Sequence, residues 1–298
     1  MLHWGHTLGC KFYGDFFAFR MACFLWGWLP AVLATTRLAA APIPADTTQA
    51  PPRLTVGLTA ATRTTYLQRA PEKADDNGFL GTTFTYQAPS GFMGSLYLNH
   101  SFAYNTTEEP FVNYGEVMAG WQSVRDSRTY WTVQYTHLFA YDESALVQAS
   151  LRNDFSASLT QYFDYLTASV SADVFVGNRS DVVLTFDLGH QFQLPTAAHD
   201  TLSLEPTVEL GVGSQHFYAA SLGKTTVVKK RRGTTVFAEP STPGFSALGF
   251  TFSAPLTYET GRFSFVATPS YLVPLHVPTG GNDQSFFYFT VGVSRSFW

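Results

Sequence analysis

From Leu54 to the carboxy terminus, apolar and polar residues alternate with a period of two in runs of about 10–15 residues. In Val182–Leu194, the residues Val182, Leu184, Phe186, Leu188, Phe192 and Leu194 share one face, and Thr185, Asp187, Gly189, Gln191 and Gln193 share the other. The next run sets Leu202, Leu204, Pro206, Val208, Leu210 and Val212 against Ser203, Glu205, Thr207, Glu209, Gly211 and Gly213. Leu166–Val176 and Phe92–Tyr104 repeat the arrangement. Successive side chains of a strand point to opposite faces, so this period predicts strands with one apolar and one polar surface. Helical periodicity is nearly absent.

About twelve such strands are predicted, starting near Leu54, Gly78, Gly91, Val112, Arg128, Ala145, Leu166, Asp181, Thr201, Phe245, Arg262 and Gln284. With an even number of strands both chain ends fall at one rim. The connections near residues 67–77, 105–111, 142–144, 178–180, 219–244 and 278–283 then share the other rim, which receives the longest of them. Those on the terminal rim, at Ala88–Ser90, Arg125–Ser127, Asp164–Tyr165, Pro195–Asp200 and Glu259–Gly261, are short. Lipid leaves no backbone N–H or C=O solvated, so a spanning sheet must close on itself. The prediction is therefore an all-β fold, a transmembrane antiparallel up-and-down β-barrel of about twelve strands. Pro206, Pro255, Pro269 and Pro274 fall within strands, where each removes a ladder donor, and local bulges are expected there.

Composition sharpens this picture. Aromatic residues make up 16% of the 298 residues and charged residues only 13%, about half the usual charged share. The one long apolar run is Met21–Ala34, short of the roughly 20 residues of a spanning helix. Lys11 and Arg20 precede it and Ala39-Ala40-Ala41 follows it, which predicts a cleavable signal peptide over residues 1–41. Residues 42–53 are rich in proline and polar residues and read as a periplasmic linker, with the barrel over 54–298. Cys10 and Cys23 both lie in the leader, so disulfides, thiol catalysis and cysteine-bound zinc are not expected in the mature chain. The formal net charge is −4, and removing residues 1–41 makes the chain more acidic. That balance gives no support for nucleic-acid binding.

Aromatic residues gather near predicted strand ends, as interfacial belts require. Tyr66, Phe79, Tyr104, Tyr114, Tyr141, Phe217 and Tyr218 are expected in an outer girdle, and Tyr86, Phe92, Trp121, Trp131, Phe163 and Tyr258 in an inner one. The last segment, Ser285–Trp298, places Phe287, Phe289, Val291, Val293 and Phe297 on one face. It resembles the carboxy-terminal strand of bacterial outer-membrane barrels, in which a terminal aromatic after alternating apolar residues is read by the assembly machinery. Phe289, Val291, Val293, Phe297 and Trp298 are the positions matching that signal, with Trp298 one residue beyond the in-phase Phe297 and Arg295 on the apolar face. The whole pattern looks most like the uncharacterised barrels of Bacteroidota-type outer membranes. The resemblance implies location in a bacterial outer membrane and contact with its lipid, lipopolysaccharide and barrel-assembly machinery. It brings no substrate or catalytic residue with it.

Chemistry must then come from lumen and rims. The phase of alternation puts Asp173, Asp187, Glu205 and Glu209 on the inner face, with Asp173 expected opposite Asp187 and both glutamates alongside. Such a stripe favours cations. The competing arrangement is a polar plug in which Arg63, Arg152 and Arg262 pair with these acids. Lys224, Lys229, Lys230, Arg231 and Arg232 form a basic external loop suited to lipopolysaccharide phosphates or to solvation. His100 and His137 fall on the apolar face near the outer rim, but no convincing Ser-His-Asp or Ser-His-Asn set accompanies them. Asp75-Asp76, Glu108-Glu109 and Asp142-Glu143 lack calcium-loop spacing, and no cofactor motif or metal-ligand cluster is present. The function expected is that of a narrow, porin-like passive channel for small solutes, not an enzyme. A closed structural or adhesive barrel acting through its loops is the alternative, and a lipid hydrolase is more distant.

Overall fold

The structure is a computed structural model in which residues 52–63, 78–102, 111–112, 114–126, 128–140, 151–177, 179–196, 199–217, 227–229, 235–237, 244–278 and 283–297 are described. The expected signal peptide and all of the linker except Pro52 and Arg53 lie outside the described residues. So do Lys224, Lys230, Arg231, Arg232 and Trp298.

The strands are β1 (Arg53–Ala61), β2 (Phe79–Gln87), β3 (Phe92–Ser101), β4 (Tyr114–Asp126), β5 (Thr129–Ala140) and β6 (Leu151–Tyr162). They continue with β7 (Thr167–Gly177), β8 (Ser180–Gly189), β9 (Phe192–Leu194), β10 (Asp200–Leu204) and β11 (Thr207–Gly213). A separate short hairpin, β12 (Val227–Lys229) and β13 (Thr235–Phe237), contains Lys229. The chain then returns as β14 (Ser246–Ser253), β15 (Leu256–Thr260), β16 (Phe263–Pro274) and β17 (Phe286–Phe297).

All pairings of the main sheet are antiparallel, and β1 pairs with β17 to close the ring. Three pairs of segments, β8/β9, β10/β11 and β14/β15, are single strands each interrupted by two residues. Counted so, the fold is a closed antiparallel barrel of twelve strands.

Two of the three interruptions contain Pro206 and Pro255, and the three lie side by side in a row that ends at Pro269 of β16. No bulge forms there, contrary to expectation. Thr207 still pairs with Gly189 on one side of the gap and Leu204 with Phe192 on the other, in one register. The reason is visible in the remaining donors. His190 N–H donates to the Pro206 carbonyl at 3.3 Å, Glu205 N–H to Pro255 at 2.9 Å and Ala254 N–H to Pro269 at 3.1 Å. Each proline withholds one hydrogen bond of a pair and accepts the other, so the ladder is thinned without slipping. Register shifts occur instead at Val124/Asp126, Leu151/Asn153 and Gly211/Val212.

The two faces separate as alternation requires. Leu58, Phe84, Val133, Phe155, Phe186, Leu188, Phe265 and Phe287 point outward and are exposed, Phe287 by 60%. A continuous exposed apolar surface of this kind suits lipid and not water. Tyr86, Phe92, Trp121, Phe163 and Tyr258 are exposed at the terminal rim. Two residues expected in the outer girdle face the other way. Tyr114 is 7% exposed and hydrogen-bonded to the lumen residue Glu116, and Phe217 is 1% exposed. Both rings have local partners inside that outbid the interface.

In β17, Phe287, Phe289 and Val291 are exposed on the outward face, in phase with Val293 and Phe297. Arg295 shares that face, its guanidinium 5.3 Å from the Phe263 ring centroid and 5.0 Å from that of Phe297. Ring faces at the rim thus hold a cation that lipid would otherwise exclude.

Candidate functional site

The lumen has two chemically different walls, and strand phase decides both. In β4 the inward positions are those in register with the ones occupied by Glu116, Met118, Gly120 and Gln122, because Val117 and Trp121 are exposed outside. Glu116 therefore turns inward, and Tyr114 Oη donates to its Oε1 at 2.5 Å. Asp154 of β6 follows the same logic between exposed Phe155 and the bulge at Leu151/Asn153. Asp173, Asp187 and Glu209 continue the series on β7, β8 and β11. Asp154 lies within electrostatic reach of Asp173 and Glu116, and Asp187 within reach of Glu209. Together these carboxylates line one side of the lumen from β4 to β11, with only β5 contributing none. The strands β7, β8 and β11 contain no lysine or arginine to offset it.

The register differs from the one expected. Asp187 pairs with Glu209 directly, but Asp173 pairs with Val183 and Asp187 with Ser169. The β7–β8 hairpin turns tightly, with Gly177 N–H donating to the Arg179 carbonyl, so its centre lies two residues earlier than a turn about Ser180. Glu205 sits in the β10/β11 interruption and has no place in the β8 ladder. Arg152 is exposed in the bulge of β6, Arg63 lies over the Phe286 ring at 5.2 Å, and Arg262 is exposed in the β15–β16 turn.

Local groups shape the acidic wall. Ser171 Oγ donates to Asp173 Oδ2 at 3.3 Å. Asp154 Oδ1 is buried and has no hydrogen-bond partner among the described residues. A cavity of about 180 Å³ lies against Asp173, Thr185, Glu209 and Gly211, with Phe175, Val183 and Leu248 as its apolar side. Tyr97, opposite Glu116 in the ladder, lies across Gly81, where a Cβ would come within 2.6 Å of its ring.

The opposite wall, from β16 through β17 and β1 to β2, is rich in small hydroxyl residues, with Arg53 of β1 donating to Ser296 Oγ at one end and Arg63 over the Phe286 ring at the other. Thr55, Thr59, Thr83, Thr85, Ser264, Thr290 and Ser294, with Gly57 and Gly292, line an open space of about 320 Å³. Hydroxyls offer donors and acceptors without fixing a charge sign, so between its end arginines this side leaves the acidic side to contribute the fixed charge.

The rim away from the chain ends is narrowed by residues 214–217. Asp181 has no exposed surface, and donors converge on it. Its Oδ1 accepts from Ser214 Oγ at 2.7 Å, His216 N–H at 2.7 Å and His216 Nδ1 at 2.9 Å, and its Oδ2 from Phe217 N–H at 2.9 Å. Gln215, also fully buried, donates to the His276 carbonyl at 3.2 Å. Nearby Leu248 and Leu272 are buried to within 1%. Glu116, Asp154 and Asp181 were absent from the sequence-derived site. Glu116 and Asp154 carried the same alternation signal as Asp187, but Asp181 is defined only by the fold of residues after β11.

On the outward face His137 Nδ1 lies 3.2 Å from Asn153 Oδ1, and His100 stacks on Phe111 with centroids 5.4 Å apart. The position two residues after His137 on the same face is Phe139. No group of histidine, cysteine, aspartate and glutamate among the described residues is arranged to hold a metal ion.

No family model and no curated protein matches this chain. Solved barrels do resemble it. The KdgM porin is 10% identical over 82% of this chain and 99% of its own, with a TM-score of 0.47. The NanC porin is 10% identical over 80% of this chain and 98% of its own, at 0.44. An outer-membrane channel from Pseudomonas putida F1 is 9% identical over 86% of this chain and 99% of its own, at 0.45. Likeness at this level leaves function to be read from this chain's own residues.

Proposed function

We propose that this protein is an outer-membrane, porin-like passive channel whose lumen favours small cationic solutes. The observation that carries the reading is the set of inward carboxylates Glu116, Asp154, Asp173, Asp187 and Glu209 on one side of the lumen, facing a hydroxyl-rich side whose arginines, Arg53 and Arg63, lie at its two ends. Fixed carboxylates in a narrow aqueous path concentrate cations and repel anions, with low-dielectric walls focusing the field. An outward apolar face, both chain ends at one rim and an aromatic-rich last strand support the membrane assignment.

The test is planar-bilayer recording with the full chain purified from membranes, under a salt gradient. Discrete steps and a cation-selective reversal potential are expected. Asp187→Asn with Glu209→Gln should move that potential most of the way toward zero, because the two oppose each other in the ladder. A verified, inserted barrel that passes no current would overturn the channel reading. The alternative, a closed barrel acting through its outer loops, draws on one observation: Gln215 and Phe217, just after β11 at the rim away from the chain ends, are buried.

A further inference from the structure

The last strand carries a permanent charge on its outward side. Arg295 stands at the terminal rim, paired with Phe263, the first residue of β16, and with Val56 of β1. Two rings fix where its side chain goes. The guanidinium carbon is 5.3 Å from the Phe263 centroid and 5.0 Å from that of Phe297, and Phe263 is exposed on the outward face. Such rings attract the charge through their quadrupoles but supply no oxygen acceptor. Among the described residues Arg295 makes no ion pair and no side-chain hydrogen bond, so its fork of N–H donors is unspent.

The surroundings are positive as well. Arg262, one residue before Phe263 in the adjoining turn, is exposed and has no side-chain partner among the described residues. Arg53, on the inner side of the same rim, donates to Ser296 Oγ at 2.9 Å. The acids of the neighbouring strands are engaged elsewhere. Glu259 Oε2 accepts from Thr201 Oγ1 at 3.1 Å, and Asp200 Oδ2 from Tyr258 Oη at 2.7 Å.

A guanidinium with open donors at an apolar boundary calls for an oxyanion, and its planar fork matches phosphate. Position says which phosphate. The terminal rim bears both chain ends and the short connections, the periplasmic side of an outer-membrane barrel, where lipid headgroups meet the apolar belt. Toward the middle of that belt, Phe265, Val293 and Leu58 form one outward row across β16, β17 and β1. Ala267, Val291 and Ala60 form the next, in which the two alanines leave room beside Val291 for an acyl chain.

We propose that Arg295 and Arg262 form an outward-facing site for the phosphate of an anionic phospholipid in the leaflet at the terminal rim. Phe263 and Phe297 hold the Arg295 guanidinium in place, and the lipid's chain lies along the rows beneath. This site rests on the membrane part of the reading above and is independent of the lumen and its solute.

Native mass spectrometry of the full chain, extracted from membranes in detergent, tests it by titration with phosphatidylglycerol. Extraction from membranes establishes the membrane assignment first, so the titration bears on the site alone. Wild type should hold one lipid at low concentration and bind diacylglycerol of the same chains, which lacks the phosphate, at least about tenfold more weakly. Arg295→Gln should weaken phosphatidylglycerol to the same degree. Arg262→Gln, which leaves the last strand intact, should weaken it severalfold and keeps the test decisive if the first variant fails to insert. Equal binding by wild type and both variants, or equal binding of diacylglycerol, would overturn the proposal. Loss with Arg295→Gln alone would overturn the part given to Arg262. Displacement of the lipid by millimolar inorganic phosphate would overturn the lipid assignment by showing a site for free anions.

Discussion

Asp181 shows how a single buried charge can organise a rim. A carboxylate removed from water must find donors for its lone pairs, and here two backbone N–H groups, a hydroxyl and an imidazole supply them. The same bonds fix the direction in which the chain leaves β11, which brings Gln215 and Phe217 into the buried outer end of the barrel. Asp181→Ala would leave the His216 and Phe217 N–H groups buried without acceptors, at a cost on the order of 3 kcal/mol. Asp181→Asn keeps one acceptor oxygen and should lose less. Urea unfolding in lipid vesicles reads the difference, and an Asp181→Ala midpoint equal to wild type would mean that the cage does not hold the segment. None of this was legible in the sequence, because Asp181 reads there as one more inward polar residue at a strand start. The partners that distinguish it, Ser214 to Phe217, lie beyond the last alternating position of β11. Tyr114 and Phe217 were misassigned to the outer girdle for a related reason. Nearness to a strand end marks an aromatic residue as interfacial only where no polar or apolar partner waits inside.

At the scale of elements, the seam formed by Pro206, Pro255 and Pro269 thins the ladder, since each proline lacks an N–H to donate. In each hydrogen-bonded pair the proline accepts and returns nothing. Pro206→Ala restores an N–H aimed at the His190 carbonyl, the missing half of an existing pair. Amide exchange over residues 190–194 and 204–207 should slow. Global stability should move by less than about 1 kcal/mol, since the gained bond is offset by a freer unfolded chain. Unchanged exchange would mean that strand twist at the seam, and not the missing donor, opens the ladder. Strand number, strand faces and the up-and-down order were all legible, because a period of two carries face information directly. Cross-strand partners were not. A turn centred two residues earlier moves every pairing in the hairpin while leaving each face unchanged, so Asp173 kept its side and lost Asp187 as its opposite.

At the scale of the whole molecule, the sheet's phase separates an apolar outer face from an inner surface with an acidic side and a hydroxyl-rich side opposite it. The division of labour between the inner walls is itself testable. Carboxylates of β4 to β11 would set selectivity, whereas Gly57 and Gly292, across the lumen on β1 and β17, would set width. A Cβ at Gly57 would meet Ser294 Cβ at 3.6 Å, and one at Gly292 would meet the Leu58 carbonyl at 3.5 Å, both ordinary contacts. Larger side chains therefore fit the backbone there and project into the open space lined by Thr55, Thr83 and Thr290. Gly57→Phe with Gly292→Phe should lower single-channel conductance severalfold while leaving the reversal potential cation-selective, because the acidic wall is untouched. Conductance equal to wild type in a correctly inserted barrel would place the ion path outside this half of the lumen. Lost selectivity together with lost conductance would instead mean that the two walls act as one constriction, with the hydroxyl side holding the passing ion against the carboxylates.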